Sequence, residues 1–487
     1  MKPDITGAHA IFQAHVLNYL REHYPGLSGL SQSKSELVAK FYYLDLSEVD
    51  RIMMDRYSVF GPRPRLPSCM LRSYLLSIEL GVDSVTEWVD LLNTVPLYAV
   101  LSGFDPNDPP GIGTFYDFFH KLWNSADANL NSHIKPKKKS VTKPERKGDK
   151  APPNTRKTVK ELIEELKVQT FNAADEPYGC LFNIFNTVFL SGSVERELID
   201  LKNLTIAGDG TPVQVSARLR RKKVCDCAKK GILHCDCDRY YSQPDCDIGW
   251  DSSREYFYNG YDLYILTDAD SKSDLPVFPL LNPASMHDSM GFLHTYFRMK
   301  SLLPEAEVSN LLLDSAHDAM PYYEYCLENG ISPFIDLNGN GTVQQDDITL
   351  DKDGRPICSA GLRMIRDGCE KDRKRIKFRC PKAWKGHPCS CDTPCSATDY
   401  GRVTHLYTAD NPRMINVPAR GSKQWKEMYS KRTSSERTNK RIKNDYKLED
   451  GRHRSSRMWY CRLYCIMMLQ HLNAWSQEAD NFTLLAS

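Results

Sequence analysis

The sequence predicts an α/β fold, in which an all-α N-terminal unit precedes a mixed-sheet core carrying a small β-rich insertion. Three observations predict it. Apolar residues recur at three-to-four spacing through residues 34–133, as packed helices require. Two buried-strand patterns, LTIAGDGTPV and VSNLLLDSAHD, then alternate with helical segments, as in a mixed sheet with helices against it. Finally, roughly ninety residues before Tyr429 hold short β-like pieces, glycines and prolines, too many for an ordinary loop.

The chain has 487 residues, 41% of them hydrophobic, which allows a substantial core and predicts two or three domains. Residues 1–33 carry only a weak helical pattern. Helices follow over SKSELVAKFYYL, DLSEVDRIMMDRY, PSCMLRSYLLSIELG, SVTEWVDLLN and GTFYDFFHKLW, closing a helical unit at residue 133. Residues 134–158 read as a basic linker of lysines and prolines without an apolar cluster. The core is expected over 159–335: two helices, a first strand from about Leu201, the strands YDLYILTDA and LPVFPLLNPA, a helix from His287 to Leu302, a strand ending at Asp314, the helix PYYEYCLENG and a last strand SPFIDL. The insertion should span 336–425. Helices over 426–487, including the apolar SSRMWYCRLYCIMMLQHLNAW, should complete the core.

Net charge is only +2, yet residues 135–160 hold eleven Lys or Arg against two acids, and 421–462 is basic as well. Two separated basic runs favour a polyanionic partner. No apolar stretch has the length to span a bilayer and no secretion signal is seen, so a cytoplasmic protein is expected, without a disulfide framework for its sixteen cysteines.

The densest chemistry is YSKRTSSERTNKRIK, Tyr429 to Lys443. On a helix, at roughly 100° per residue, Tyr429, Arg432, Glu436, Lys440 and Lys443 share a sector about 80° wide. One carboxylate among a phenol, a guanidinium and two ammoniums suits a face that holds a metal ion and grips phosphates. A solvated, salt-bridged helix is the ordinary explanation of an isolated charge run. Two aspartates weigh against it here. Asp209 follows a buried-strand pattern between Gly208 and Gly210, which read as room for a ligand to approach at a sheet edge, and Asp314 ends the second such pattern.

The order Tyr429, Arg432, Glu436, Lys443 resembles the Y-R-E-K signature of bacterial insertion-sequence transposases of the DDE type. NGYDLYILTDAD, PASMHDS and the helical segment LPSCMLRSYLL through FHKLW share in the resemblance. It implies an RNase H-like catalytic core, with Asp209, Asp314 and Glu436 as catalytic ligands of Mg²⁺ (or Mn²⁺). Two such ions about 3.5–4 Å apart can activate water and relieve charge on the leaving oxygen. It also implies Tyr429, Arg432, Lys440 and Lys443 as DNA contacts, double-stranded DNA at the element's terminal inverted repeats and in the target as partner, and a dimer or higher assembly on that DNA. The rival is a catalytically inactive, zinc-containing DNA-binding protein of the same fold.

Two cysteine groups could hold structural Zn²⁺: Cys225, Cys227, Cys235 and Cys237, with His234 and Cys246 nearby, and Cys380, Cys389, Cys391 and Cys395, with Cys369 and His387 nearby. Reduced buried thiols are the alternative. DLNGNGTVQQDD, Asp336 to Asp347, fits the pattern of a calcium-binding EF-hand loop, but a strand precedes it, and a turn after that strand is the favoured reading. His287 and His317, near the two acids, read as structural or orienting groups.

Overall fold

The computed structural model describes residues 7–136, 157–217, 222–338, 343–345, 348–370, 372–382 and 391–478. The N-terminal region is helical: α1 (Ala8–His23), α2 (Gln32–Tyr42), α3 (Ser47–Met53), α4 (Pro67–Glu79), α5 (Val85–Thr94), α6 (Pro96–Ser102) and α7 (Ile112–Lys121). Local sequence sets their ends. The Ser31 and Ser84 hydroxyls accept from the N–H groups of Lys34 and Glu87, and Pro67 and Pro96 open helices where a missing N–H costs nothing. After β1 (Ile134–Lys135), the basic run from 137 to 156 lies outside the described residues. The chain continues in α8 (Val159–Val168), opened by a Thr158–Glu161 capping box, then α9 (Gly179–Ile184) and, through one π-helical stretch, α10 (Ser191–Glu195).

The core strands are β2 (Leu204–Gln214), β5 (Asp247–Asp251), β6 (Tyr256–Asp268), β7 (Pro276–Pro283), β8 (Val308–Leu313) and β9 (Ser332–Ile335); β3 (Lys222–Lys223) and β4 (Arg239–Tyr240) form a separate small sheet with β1. β2 lies at the centre, antiparallel to β6 and parallel to β8, which is parallel to β9. The other edge of β6 pairs first with β5, then with β7. Parallel pairs need crossovers. They are α11 (Asp288–Leu302), between β7 and β8, and α12 (Met320–Glu328), between β8 and β9.

The insertion follows β9. It contains a hairpin of β10 (Val343–Gln345) and β11 (Ile348–Leu350), then an antiparallel sheet of β12 (Ile365–Glu370), β13 (Arg375–Arg379) and β14 (Val403–Tyr407). Leu350, Met364, Phe378, Leu406 and Ile415 form its own small core. Two arginines tie it back to the sheet. Arg413 donates to both Asp318 carboxylate oxygens at 2.8 and 2.6 Å, and Arg420 donates to the Ile335 carbonyl at 2.7 Å. Of the EF-hand-like stretch, Asn340, Gly341 and Asp347 lie outside the described residues.

The stretch expected as one helix from Tyr429 is two. α13 (Lys423–Ser430) gives way at Lys431–Arg432 to α14 (Thr433–Lys440), and a π-helical turn covers Arg441–Asp445. At the break the amides of Arg432, Ser434 and Ser435 bond three residues back, a tightened turn. α15 (Ser456–Glu478) is buried nearly all round, from Trp459 to Leu472, and packs on α2, α4, α7 and α9. One hydrophobic cluster therefore runs from Phe12 through the sheet to Ala474.

Gly260 sits where β6 crosses β2, and a Cβ there would lie 1.9 Å from the Val213 carbonyl oxygen. The atoms it would meet are paired β2 backbone and cannot yield, so Gly260→Ala should destabilise by about 3 kcal/mol, the upper range for overpacking. Gly113, in α7 with nothing within 4 Å, is the control. Gly113→Ala should stabilise by up to about 1 kcal/mol. Equal denaturation midpoints for the two variants would contradict this account of the β2–β6 crossing.

Candidate active site

β2 and β8 align Ile206 with Leu311 and Ala207 with Leu312. Two residues further along, the same register sets Asp209 across from Asp314, on the face shared by Ala207 and Leu312 because strand side chains alternate. Ala207, Leu312, Phe334 and Trp425 form one buried cluster with Met428 and Tyr429 against it, so this is the face that α13 covers. β8 stops at Leu313 while β2 runs on to Gln214 along β6, leaving Asp209 beside a strand end. The expectation that the strand ends at Gly208–Gly210 is corrected: Asp209 sits mid-strand, held there by nine residues of pairing with β6.

The glycines also differ from expectation. A Cβ on Gly208 would meet the Tyr264 hydroxyl at 2.9 Å and Leu313 at 3.1 Å, and one on Gly210 would meet Asp262 at 2.8 Å and Asp288 at 3.1 Å. They make room for the protein's own side chains. Sequence reasoning missed this inner layer, because the segments meet only through sheet pairing and the packing of α11 on the sheet.

Asp314 starts a short turn, accepting from the Ala316 N–H at 3.1 Å and from His317 Nδ1 at 2.6 Å. The Tyr264 hydroxyl donates to Nε2 of the buried His317 at 2.9 Å, so both ring nitrogens are committed and Asp314 is held in place. Asp209 accepts from Asn439 Nδ2, on α14, at 3.2 Å. Glu436, half exposed, is ion-paired with Arg432, and the Arg432 guanidinium lies 5.9 Å from the Tyr429 ring centroid. Tyr429 stacks on Trp425 at 4.8 Å. His317, three residues beyond Asp314, is the orienting group its place in the sequence suggested, whereas Asn439, three residues beyond Glu436, was missed, the helical spacing being its available signal.

The remaining cations of the run divide by face. Lys431, Arg437 and Arg441 bind the turn between β6 and β7: Lys431 pairs with Asp270, Arg437 donates to both oxygens of Asp274, and Arg441 donates to the Ser273 carbonyl. They fasten α14 to the sheet. Lys443 donates to the Pro212 carbonyl and pairs with Glu449 at 3.5 Å, whereas Lys440 is exposed with no hydrogen bond or ion pair among the described residues.

Electrostatics separate the two aspartates. Burial, and behind it the charge of Asp314, pushes the Asp209 carboxyl up to about 7; Asp288 and Glu436 add to the push and Arg432 opposes it. Asp314 is depressed. Burial works against this, but the hydrogen bond from His317, the Ala316 N–H and the charge of Arg432 outweigh it. Asp262 is pushed well up by burial, then by Asp288 and Asp209, and its Oδ2 has no hydrogen-bond partner among the described residues. Among the described residues, only Cys225, Cys227, Cys235 and Cys237 bring three or more possible ligand atoms within 4.8 Å of one another. Asp314 and Glu436 both lie near enough to raise the Asp209 carboxyl, yet the three acids do not close on a common point. Their oxygen-only, mutually repelling donor set fits a hard divalent cation.

Of the second cysteine group, Cys389 lies outside the described residues; Cys380 is buried and Cys395 exposed.

Because folding raises the Asp209 pKa, the folded protein keeps a proton that the unfolded chain releases between about pH 4 and 7. Stability of metal-free protein should therefore fall as pH rises through that window. Asp268, also pushed up to about 7 chiefly by burial, contributes part of the slope. Asp209→Asn should make the slope shallower and leave the metal-free variant more stable than wild type at about pH 8. A melting temperature that varies identically with pH in both proteins would refute it.

Among the described residues no helix is long and apolar enough to cross a membrane. No curated protein matches this sequence. A protein family does: residues 205–470, from the strand that carries Asp209 to the helix α15 that closes the core, match the Transposase DDE domain. The chain belongs to the transposase DDE domain family.

Proposed function

We propose that this transposase cuts DNA at the ends of its element and joins the freed 3′ ends to target DNA, with Asp209, Asp314 and Glu436 as the catalytic acids. The observation that carries the reading is the β2–β8 register, which puts two acids side by side beneath the helix that brings the third. The strand order β7-β6-β2-β8-β9, with the first three strands antiparallel and the last two added in parallel, supports an RNase H-like core.

Divalent cations held by the three acids would supply water activation and charge relief at the leaving oxygen. The chain's own groups do the rest. His317 and the Ala316 N–H keep Asp314 ionised and oriented. Asn439 orients Asp209. Arg432, a planar fork between Tyr429 and Glu436, is placed to bind a phosphate through two parallel hydrogen bonds. Tyr429 braces it from the Trp425 stack, Lys440 adds unpaired charge, and Lys443 adds charge where α14 meets β2.

Replacing Asp209, Asp314 or Glu436 by its amide keeps size and removes ligand charge, so cleavage of end-containing DNA should fall by about two orders of magnitude or more while DNA binding persists. An amide variant that nicks at the wild-type rate removes its residue from the site. Binding without nicking by the wild-type protein, over a range of Mg²⁺ and Mn²⁺, would favour a non-catalytic DNA-binding role instead.

The cationic face is tested separately. Arg432→Lys keeps the charge but loses the fork, so assembly on cleaved ends should weaken about tenfold. Lys440→Ala should lower the slope of log affinity against log salt by about one. If affinity, salt slope and strand transfer are unchanged in both variants, the helix pair is not the DNA-gripping element.

A further inference from the structure

Between β2 and β5 the chain leaves the core as a thin excursion, and within it Cys225, Cys227, Cys235 and Cys237 converge, all four Sγ atoms within 4.8 Å of one another. The Cys225–Cys235 and Cys227–Cys237 sulfurs are each 3.6 Å apart. Four thiolates at about 2.3 Å from a central zinc ion would be separated by about 3.8 Å along each edge of the tetrahedron. A disulfide would draw each pair to about 2.05 Å, and no disulfide joins these cysteines.

Residues 222–240 have almost no apolar core of their own. β3 and β4 are two residues each, Val224, Ile232 and Leu233 are 49%, 48% and 72% exposed, and Cys235 is the only core side chain between residues 222 and 240. A pairing so short is not stable alone. A second observation points to charge at the quartet. Arg239 is 8% exposed, yet it has no carboxylate within ion-pairing distance among the described residues; its guanidinium donates to the carbonyls of Cys235, Cys237 and Asp238 and lies 3.5 Å from the Cys235 sulfur. A covered guanidinium facing sulfur is compensated when the sulfurs are thiolates, and four thiolates on one Zn²⁺ carry a net charge of −2.

The far end of this finger is rooted at a junction. Tyr240 stacks on His133 with ring centroids 5.3 Å apart, and the Tyr241 N–H donates to the His133 carbonyl at 2.9 Å while His133 Nδ1 donates to the Tyr241 carbonyl at 2.8 Å. Just beyond, Asp245 accepts from the Leu130 N–H, from Asn131 and from the Ser456 hydroxyl at the start of α15.

We propose that Cys225, Cys227, Cys235 and Cys237 bind one zinc ion, which replaces an apolar core and holds residues 222–240 as a stiff finger rooted on residues 129–135. The inference is independent of the DNA reading, since zinc is measured without DNA. Full-length protein purified without chelator should contain zinc by elemental analysis, and Cys225→Ser combined with Cys235→Ser should lower the content by one equivalent per chain. Cobalt substitution should give the intense visible bands of a tetrahedral thiolate site in the wild type, weakened in the variant.

If the variant fails to fold, the wild type still decides the matter. Strong chelator should make the four thiols newly reactive, as located by peptide mapping, and tryptic cleavage after Lys229 or Lys230 should accelerate about tenfold or more as local protection is lost. Unchanged zinc in the folded variant, iron in place of zinc, disulfides at these positions in protein kept reduced, or thiols equally reactive before and after chelation would each overturn the proposal.

Discussion

The structure depends on the parallel register between β2 and β8. It sets Asp209 and Asp314 side by side in a partly buried place, where like charges repel and partial burial strengthens the repulsion. The surroundings divide the load unequally. Asp314 receives a histidine, a backbone amide and the field of Arg432, and its carboxylate is favoured; Asp209 has one amide from Asn439 and keeps its proton to about neutral pH. The shift comes chiefly from burial and then from the charge of Asp314, so a positive charge placed beside the pair would relieve both acids. The rest of the molecule can be read as support for that arrangement: β6 holds Asp209 mid-strand, Tyr264 and His317 brace Asp314, and the β6–β7 turn anchors α14.

Much of this was legible in the sequence, and the failures have physical causes. The two acid-bearing strands, the crossover helices and the closing helix follow from local patterns of burial. The length of β2 does not, because the residues past Gly210 are kept extended by pairing with β6, some fifty residues away in the chain. For the same reason Gly208 and Gly210 looked like openings. Their missing side chains are filled by Tyr264, Leu313, Asp262 and Asp288, brought in from other elements.

The charge run on α13 and α14 shows why two opposed readings of one stretch can both apply. Lys431, Arg437 and Arg441 form the ordinary salt-bridged face, spent on Asp270, Ser273 and Asp274. Arg432 and Glu436 turn the other way, toward Asp209. Helical periodicity separates these faces, but only the fold says which of them meets the sheet. The break at Lys431–Arg432 lets α13 cover the Ala207–Leu312 cluster while α14 continues along β2 and β6.

The insertion between β9 and α13 has a bearing on the order in which the protein becomes competent. Asp209 and Asp314 leave the ribosome well before Glu436, which follows Asp314 by 122 residues. At bacterial or eukaryotic elongation rates of about 5–20 residues per second, that interval lasts about 6–24 s. Throughout it the nascent sheet has two acids and lacks Arg432, Asn439 and Glu436. Because Arg413 and Arg420 fasten the insertion to Asp318 and Ile335, the late helices are delivered to a surface whose anchoring precedes them. On the assignment proposed above, a site divided in this way is incomplete while the chain is being made, and translation products that stop within the insertion lack Glu436 altogether.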